Sequence, residues 1–323
     1  MILEEKTILV TGGAGAIGSS LVKSLSAKAK KIIVLDDLSS GHEVLIPKQE
    51  NVTFIHGSIA EDLSLAAAFR EKIDIIFHLA ANFANQNSVD NPQKDLAVNG
   101  LGTLKILENC LRHECELFVY ASSSCVYGNM LSQENEKTAK IQLDTPYAIT
   151  KMLGEHYTNF FVSQYKLPAV IFRIFNSYGP GEFPGRYRNV IPNFLKSAIE
   201  GKPLIVTGSG EETRSFNYVD NLIQAFTKTI GCKAAIGEIM NIGTESETRI
   251  IDLANIINKI ANNHAGVEYA PRRSWDHISR RIADIGKARS IIGYEPINNL
   301  EEGIQETYSW MIKQKRYWEK IRA

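Results

Sequence analysis

The chain has 323 residues, with 36 lysines and arginines against 36 aspartates and glutamates, and 44% of its residues are apolar. That length suits one large domain or two fused ones, and the apolar share excludes a disordered chain. A formal net charge of zero argues against nucleic-acid binding, but a net sum cannot register a local anion site. The opening MILEEKTILVTGG carries acids before its apolar run and no small-residue cleavage site, so no secretory signal is expected. No apolar run approaches the ~18 residues that a membrane span needs. Cys110, Cys115, Cys125 and Cys232 lack CxxC spacing and a matched histidine pattern. Neither a disulfide framework nor a metal site is therefore expected, and a cytoplasmic location fits.

In chain order, Thr7–Thr11, Lys31–Asp36, Val52–His56, Ile73–Leu79, Leu117–Ser122 and Ala169–Ile174 read as buried strands. Their near-continuous apolar character is what a parallel sheet covered on both faces demands. Helical periods run over Ile17–Ala27 and Asp95–Cys110 between them. Alternation of this kind predicts an α/β fold, a doubly wound parallel sheet of Rossmann type. After Asn176, glycine and proline crowd into SYGPGEFPGRYRN, and the texture becomes mixed. The expected division places residues 1–175 in the sheet domain, with 216–236 returning to it. Residues 176–215 and 237–323 then form a smaller mixed α/β lobe, with a ligand cleft between the two.

Thr7 to Gly18 reads TILVTGGAGAIG. Gly13, Gly15 and Gly18 satisfy GxGxxG, while Gly12, Gly15 and Gly18 satisfy GxxGxxG. A strand precedes the loop, a helix starting near Ala16 follows, and Asp36 ends the next strand about 20 residues on. Glycine lets the backbone approach a pyrophosphate, and the helix N-terminus offers it unpaired N–H groups. Asp36 suits the ribose hydroxyls and would repel a 2′-phosphate. No Arg or Lys follows in DDLSSG, so NAD is expected over NADP.

Two further segments carry chemistry. YASSSCVYG (Tyr120–Gly128) closes the fifth strand, and TPYAITK (Thr145–Lys151) opens a helix with Thr145 as cap and Pro146 in the first turn. Tyr147 and Lys151, four apart, share one helix face. An ammonium beside a phenol favours the phenolate, so Lys151 is expected to draw the Tyr147 pKa from about 10 towards neutrality and make it a general acid–base. A serine hydroxyl could share and orient the substrate proton.

TGGAGAIG, Asp36, HLAA (78–81), Asn99 in VNGLGT, SSSCVYG, the Tyr147/Lys151 pair, RIFNSYGP (173–180) and TRSFNYVDN (213–221) together resemble the extended short-chain dehydrogenase/reductases. More narrowly, the chain resembles their NAD-dependent sugar-nucleotide epimerase/dehydratase family, from Thr7 to about Pro296. The resemblance implies Ser123 as the catalytic hydroxyl, with Ser122 and Ser124 as neighbouring candidates, and Tyr147 as the acid–base. Lys151 would bind the nicotinamide ribose, and Asn99 would help hold the central network. Implied NAD contacts are Gly12, Gly15, Ala16, Ile17 and Gly18 in the glycine loop, then Asp36, Asp37 and Ser40. Ser58, Ile59, Leu79, Ala80 and Ala81 complete them, with Asn99, Tyr147 and Lys151 at the nicotinamide end. On the nucleotide-sugar side, the resemblance implies Ser88, Ser123 and Ser124 near the sugar. Asn176 falls to the diphosphate or the sugar, Asn189, Arg214 and Arg273 to the diphosphate, Val190 to the substrate beside Asn189, and Asp276 to the nucleoside ribose.

Family 4-epimerases oxidise C4 to a ketone and return hydride to its other face. The 4,6-dehydratases usually place Asp-Glu right after the catalytic hydroxyl, where this chain has Ser124 and Cys125. The resemblance therefore implies a nucleoside-diphosphate-sugar 4-epimerase, of UDP-glucose/UDP-galactose or UDP-glucuronate type. A 4-dehydrogenase or decarboxylase using the same triad is the alternative, followed by a dehydratase and a non-catalytic NAD-binding sensor. Uridine is the default base, with guanosine and thymidine open. Departures from the family pattern are the amide-rich ANFANQNSVDNP (81–92), Ser58 in HGSIAED, and Trp275 in RRSWDHISRR. A homodimer through the 95–110 and 147–164 helices is implied by the same resemblance.

Overall fold

The computed structural model describes residues 2–320 apart from 131, 134 and 298. Its centre is a seven-stranded sheet: β1 (Thr7–Thr11), β2 (Lys31–Asp36), β3 (Val52–His56), β4 (Ile75–His78), β5 (Leu117–Ser123), β6 (Ala169–Ile174) and, later in the chain, a strand at Ile239–Ile242. The order is Ile239–Ile242, β6, β5, β4, β1, β2, β3, and every pairing is parallel. Strand order reverses between β1 and β4, which opens a crevice at their C-terminal ends, where a doubly wound sheet binds its ligand.

Helices cover both faces. One face carries α1 (Ala16–Ser26), and the other carries α2 (Asp62–Ala68). Two short helices, α3 (Asn85–Asp90) and α4 (Pro92–Asp95), lead into a π-helical stretch at Leu96–Gly102 and then α5 (Thr103–Arg112). The long α6 (Pro146–Tyr165) packs beside α5 on the sheet. Strand residues alternate between two cores. Ile8, Val10, Val34, Phe77 and Phe172 face one, and Leu9, Ile33, Ile76, Phe118 and Ile171 face the other.

A second, mixed region follows. It contains β7 (Ser177–Tyr178), α7 (Val190–Ile199), β8 (Leu204–Thr207), β9 (Thr213–Arg214), β10 (Asn217–Tyr218) and α8 (Val219–Thr229). The sheet strand at Ile239–Ile242 is β11; after it come β12 (Thr248–Arg249), α9 (Ile250–Ala261), β13 (Val267–Ala270), β14 (Arg280–Arg281), α10 (Gly286–Ile292), α11 (Leu300–Lys313) and α12 (Lys315–Lys320). Three small sheets, β10-β7, β12-β9-β14 and β13-β8, build this side of the cleft.

Four expectations need correction. The return to the main sheet does not stop at 236: α8 packs Phe226 edge-on against Phe77 and tilted against Phe172, and β11 then pairs with β6. The β3 strand forms, but it is the sheet edge and only half-buried, because its outer side has no neighbour. The amide-rich 81–92 segment, whose polar residues read as a loop, contains a helical turn at residues 85–90. Finally, Asp95–Cys110 is not one regular helix, because a π stretch interrupts it.

Candidate active site

A cleft of about 720 Å³ runs from the crevice in the sheet across to the second region, a size suited to a sizeable organic ligand. Its floor is the glycine loop. Gly12 has φ +71°, and a Cβ there would lie 2.7 Å from the Ala80 nitrogen; at Gly18 it would lie 2.2 Å from the Gly12 carbonyl. Both positions admit only hydrogen, which keeps the loop flat against β4 and leaves the start of α1 open. No side chain caps α1, and Ala16 and Ile17 line the cleft beside Gly15. This cradle fits a dinucleotide pyrophosphate. Asp36 stands at the end of β2, where its carboxylate accepts the N–H groups of Ala14 and Leu38, both at 2.9 Å. Burial pushes its pKa above the ordinary value, and each oxygen keeps a lone pair for a ribose hydroxyl. Asp37, Ser40, Ser58, Ile59, Leu79, Ala80 and Ala81 also line this end.

At the far end of the crevice, Ser123 closes β5 in extended backbone (φ −142°), and its Oγ accepts the Cys125 N–H at 3.2 Å. Tyr147 and Lys151 reach the same place from α6. Thr145 caps that helix by accepting the Ala148 N–H, and Pro146 occupies its first turn. Lys151 Nζ donates to the Ala121 carbonyl at 2.8 Å and lies 5.7 Å from the Tyr147 ring centroid. Ser123, Ser124, Tyr147 and Lys151 all line the cleft.

Lys151 does not lower the Tyr147 pKa in the protein alone. Burial pushes the phenol up, the neighbouring Cys125 and Asp95 add to this, and a hydrogen bond with Ser123 opposes it. Burial also draws the Lys151 ammonium down to about 8. A desolvated cation aimed at a carbonyl oxygen is a weak lever on a phenol several ångströms away.

Two expected contacts lie behind the wall. Asn99 is buried and does not line the cleft: its Oδ1 accepts the Asn82 N–H at 2.8 Å, and its Nδ2 donates to Asp95 at 2.9 Å and Thr150 at 3.3 Å. It positions the β4 loop against α6. Ser88 is fully buried and does not line the cleft; its hydroxyl accepts the Tyr147 N–H at 3.0 Å, so it seats the start of α6.

The second region supplies positive charge. Arg214 and Arg273 line the cleft as expected, and so do Arg272, Arg281, Arg186 and Arg188, which the sequence reading did not select. Burial draws the Arg214 guanidinium down to about 10, with the nearby Arg281 charge contributing. Arg272 makes ion pairs with Glu212 and Asp276, both at 3.4 Å, so Asp276 is held from behind as well as lining the cleft. Asn176, Asn189 and Val190 line the cleft too. Asn189 starts α7 and directs its Nδ2 to the buried Glu182 carboxylate at 3.1 Å, whose pKa burial pushes up to about 7. Trp275 spans the cleft, donating from Nε1 to Gln86 at 2.7 Å, while Arg186 and Tyr187 reach Asp90 at 3.1 and 3.0 Å. Strand alternation separates the RR pair: Arg280 turns out to Glu247, and Arg281 turns in.

A glycine cradle, a ribose acid and a Ser/Tyr/Lys group at one crevice define a dinucleotide-dependent enzyme of the extended short-chain dehydrogenase/reductase type. The chain belongs to the NAD dependent epimerase/dehydratase family, whose model matches residues 8–243, and its cofactor is NAD. It is similar to a solved epimerase from Methanothermobacter thermautotrophicus, 45% identical, covering 98% of this chain and 95% of that one, with a TM-score of 0.95. A solved UDP-glucose 4-epimerase with UDP-glucose, from Thermotoga maritima, is 31% identical across 96% of this chain and 99% of its own, with a TM-score of 0.91. The UDP-glucose 4-epimerase of Mycolicibacterium smegmatis is 34% identical, covering 93% of this chain and 96% of that one. Among the described residues, no helix is long and apolar enough to cross a membrane, and no cluster of three or more His, Cys, Asp or Glu side chains could hold a metal ion.

Proposed function

We propose that the protein inverts C4 of a nucleoside-diphosphate sugar through a transient 4-ketone. One observation carries this reading: the Ser123–Tyr147–Lys151 group opens onto a cleft whose other wall holds Arg214, Arg272 and Arg273. NAD, when bound, supplies the acceptor and donor of the C4 hydride. Ser123 and Tyr147 hold the C4 hydroxyl between them, and Tyr147, as the phenolate that the positive charge of a bound nicotinamide would favour against the burial that raises its pKa, takes the proton and later returns it. Lys151 holds the nicotinamide ribose from the wall formed by β5. The arginines grip the diphosphate, which fixes one end of the ligand while the ring turns over at the other. Ser124 and Cys125 follow Ser123 in place of a carboxylate pair, which weighs against 4,6-elimination.

We assign NAD binding to residues 1–175 together with 216–242, and nucleotide-sugar binding to 176–215 and 243–323. The protein is read as a homodimer, because Leu101, Ile149 and Phe160 leave apolar side chains exposed on adjacent helical segments; light scattering at working concentration tests this. Function is tested by incubating the protein with UDP-, GDP-, CDP- and dTDP-sugars, reading products by NMR and NADH by absorbance. The expected result is an inverted C4 centre without NADH release. Accumulating NADH assigns a dehydrogenase instead, and loss of carbon dioxide from a uronic acid assigns a decarboxylase.

A further inference from the structure

The amide-rich α3 turn is bonded to both sides of the cleft, and its two faces have different partners. Gln86 and Asp90, four apart, meet the second region. Trp275 Nε1 donates to Gln86 Oε1 at 2.7 Å, and Gln86 Nε2 donates to Asp90 Oδ1 at 2.8 Å. Asp90 Oδ2 accepts from Arg186 and from the Tyr187 hydroxyl at 3.1 and 3.0 Å. Asn85 and Ser88, three apart, meet the start of α6. Asn85 Oδ1 accepts the Thr145 hydroxyl and the Ser88 hydroxyl accepts the Tyr147 N–H, both at 3.0 Å. Asn85 also donates from Nδ2 to Cys125 Sγ at 3.5 Å, in the turn that follows Ser123.

The backbone sets α3 apart as a unit. Ala84 enters it with φ +84°, a value that L residues rarely adopt and that persists only where the surroundings over-determine it. Inside the unit, Asn87 Nδ2 donates to Asn82 Oδ1 and to the Phe83 carbonyl at 3.0 and 3.1 Å. Of the ties across the cleft, the Trp275 bond counts for most. The Arg186 side chain is 76% exposed, so its ion pair with Asp90 contributes little. Trp275 and Gln86 are half-buried, and both line the cleft. Asp90 also fixes the Gln86 amide: with Nε2 donating to the carboxylate, Oε1 is left to accept from Trp275.

We propose that Gln86 and Trp275 are positioning residues for Tyr147. Their bond across the cleft sets α3, and α3 sets the first turn of α6 through Ser88. Closing of the second region on a sugar nucleotide and alignment of the phenol are then one event. The inference rests on the reading of Tyr147 as the acid–base. A small misplacement of such a group is enough to slow the reaction without weakening the grip on the diphosphate.

Hydrogen–deuterium exchange of the NAD-loaded protein tests it, on the parent, Gln86→Leu, Trp275→Phe and the double variant. Leucine removes the amide, and phenylalanine removes the N–H but keeps a ring for Arg273, which lies 5.8 Å from the Trp275 ring. Residues 147–149 are expected to exchange at least about threefold faster in each single variant, with 158–165 unchanged. The double variant should exchange no faster than the faster single one, because the two share one bond. With UDP-glucose, kcat should fall about three- to tenfold in each single variant and no further in the double, with the Kd for UDP within about twofold of the parent.

Unchanged exchange at 147–149 overturns the proposal. So do additive effects in the double variant, which would make the two side chains independent, and faster exchange along the whole of α6, which would assign a general loss of packing. Trp275→Phe alone decides if the Gln86 variants do not fold, and exchange alone decides if the parent does not turn over UDP-glucose. Faster, non-additive exchange beside a Tyr147→Phe protein that keeps turnover retains the coupling and removes the acid–base reading. Lost turnover in Tyr147→Phe with exchange unchanged in the other variants does the reverse.

Discussion

The Ser88 hydroxyl accepts the backbone N–H of Tyr147 at 3.0 Å and donates to the Asn85 carbonyl at 2.7 Å. One side chain thus ties the start of α6, where the first N–H groups lack helical partners, to the α3 turn. Replacing it with alanine leaves a buried donor unmatched at Tyr147, the proposed acid–base. Ser88→Ala is expected to cost about 1–3 kcal/mol of stability and to lower kcat about tenfold with KM little changed. Urea unfolding and steady-state kinetics check the two halves separately.

Tyr147→Phe removes the phenol proposed to exchange the substrate proton while keeping the ring that packs edge-on against Phe83. Turnover is expected to fall by about 10²–10⁴, with NAD binding within about threefold of the parent. A variant that retains turnover would displace Tyr147 from its role.

Lys151 gives the site a dependence on pH. Burial holds its ammonium at about 8, below the ordinary lysine value, so the charge is present below that pH and is lost as pH rises through it. NAD affinity is expected to weaken above about pH 8 and to show no such step in Lys151→Met. Fluorescence titration with NAD at a series of pH values measures both.

His78 contributes to the acid sensitivity of the fold. It is fully buried, with Nδ1 2.7 Å from the Thr11 hydroxyl and Nε2 3.0 Å from the Thr103 hydroxyl, and burial draws its pKa down to about 3. The unfolded chain takes up this proton near pH 6.5, so more protons bind to the unfolded state between those values. The stabilisation from neutral His78 is complete above about pH 6.5 and is lost progressively as pH falls towards 3. Urea midpoints measured down this range should decline less steeply in His78→Gln.

Much of the fold was legible because its signals are local. Six apolar runs became six strands, and glycine spacing with Asp36 at a strand end marked the cradle, since both depend on backbone sterics and chain direction. Tyr147 and Lys151 were legible through their four-residue spacing. What escaped depends on distant pairing. Arg173 grips Glu155 through two hydrogen bonds at 2.7 and 2.9 Å and donates to Tyr127, whose hydroxyl reaches Asn241. No spacing announces a network that crosses β6, α6 and β11. Ser88 and Asn99 were implied as ligand contacts by the family resemblance, yet their side chains turn inward, to Tyr147 and to Asn82, Asp95 and Thr150. The π stretch hid for a related reason, because its extra residue breaks the 3.6-residue period on which helix reading relies.

The register of Arg214 beside Arg281 has one more consequence. The two residues belong to segments far apart in the chain, and their strands meet through a pairing only two residues long. Like charges at that seam push its two edges apart. An anion seated between them would act as a staple. Ligand would then fasten the seam, slowing amide exchange around residues 213–215 and 280–281 and making the second lobe's local order a function of occupancy.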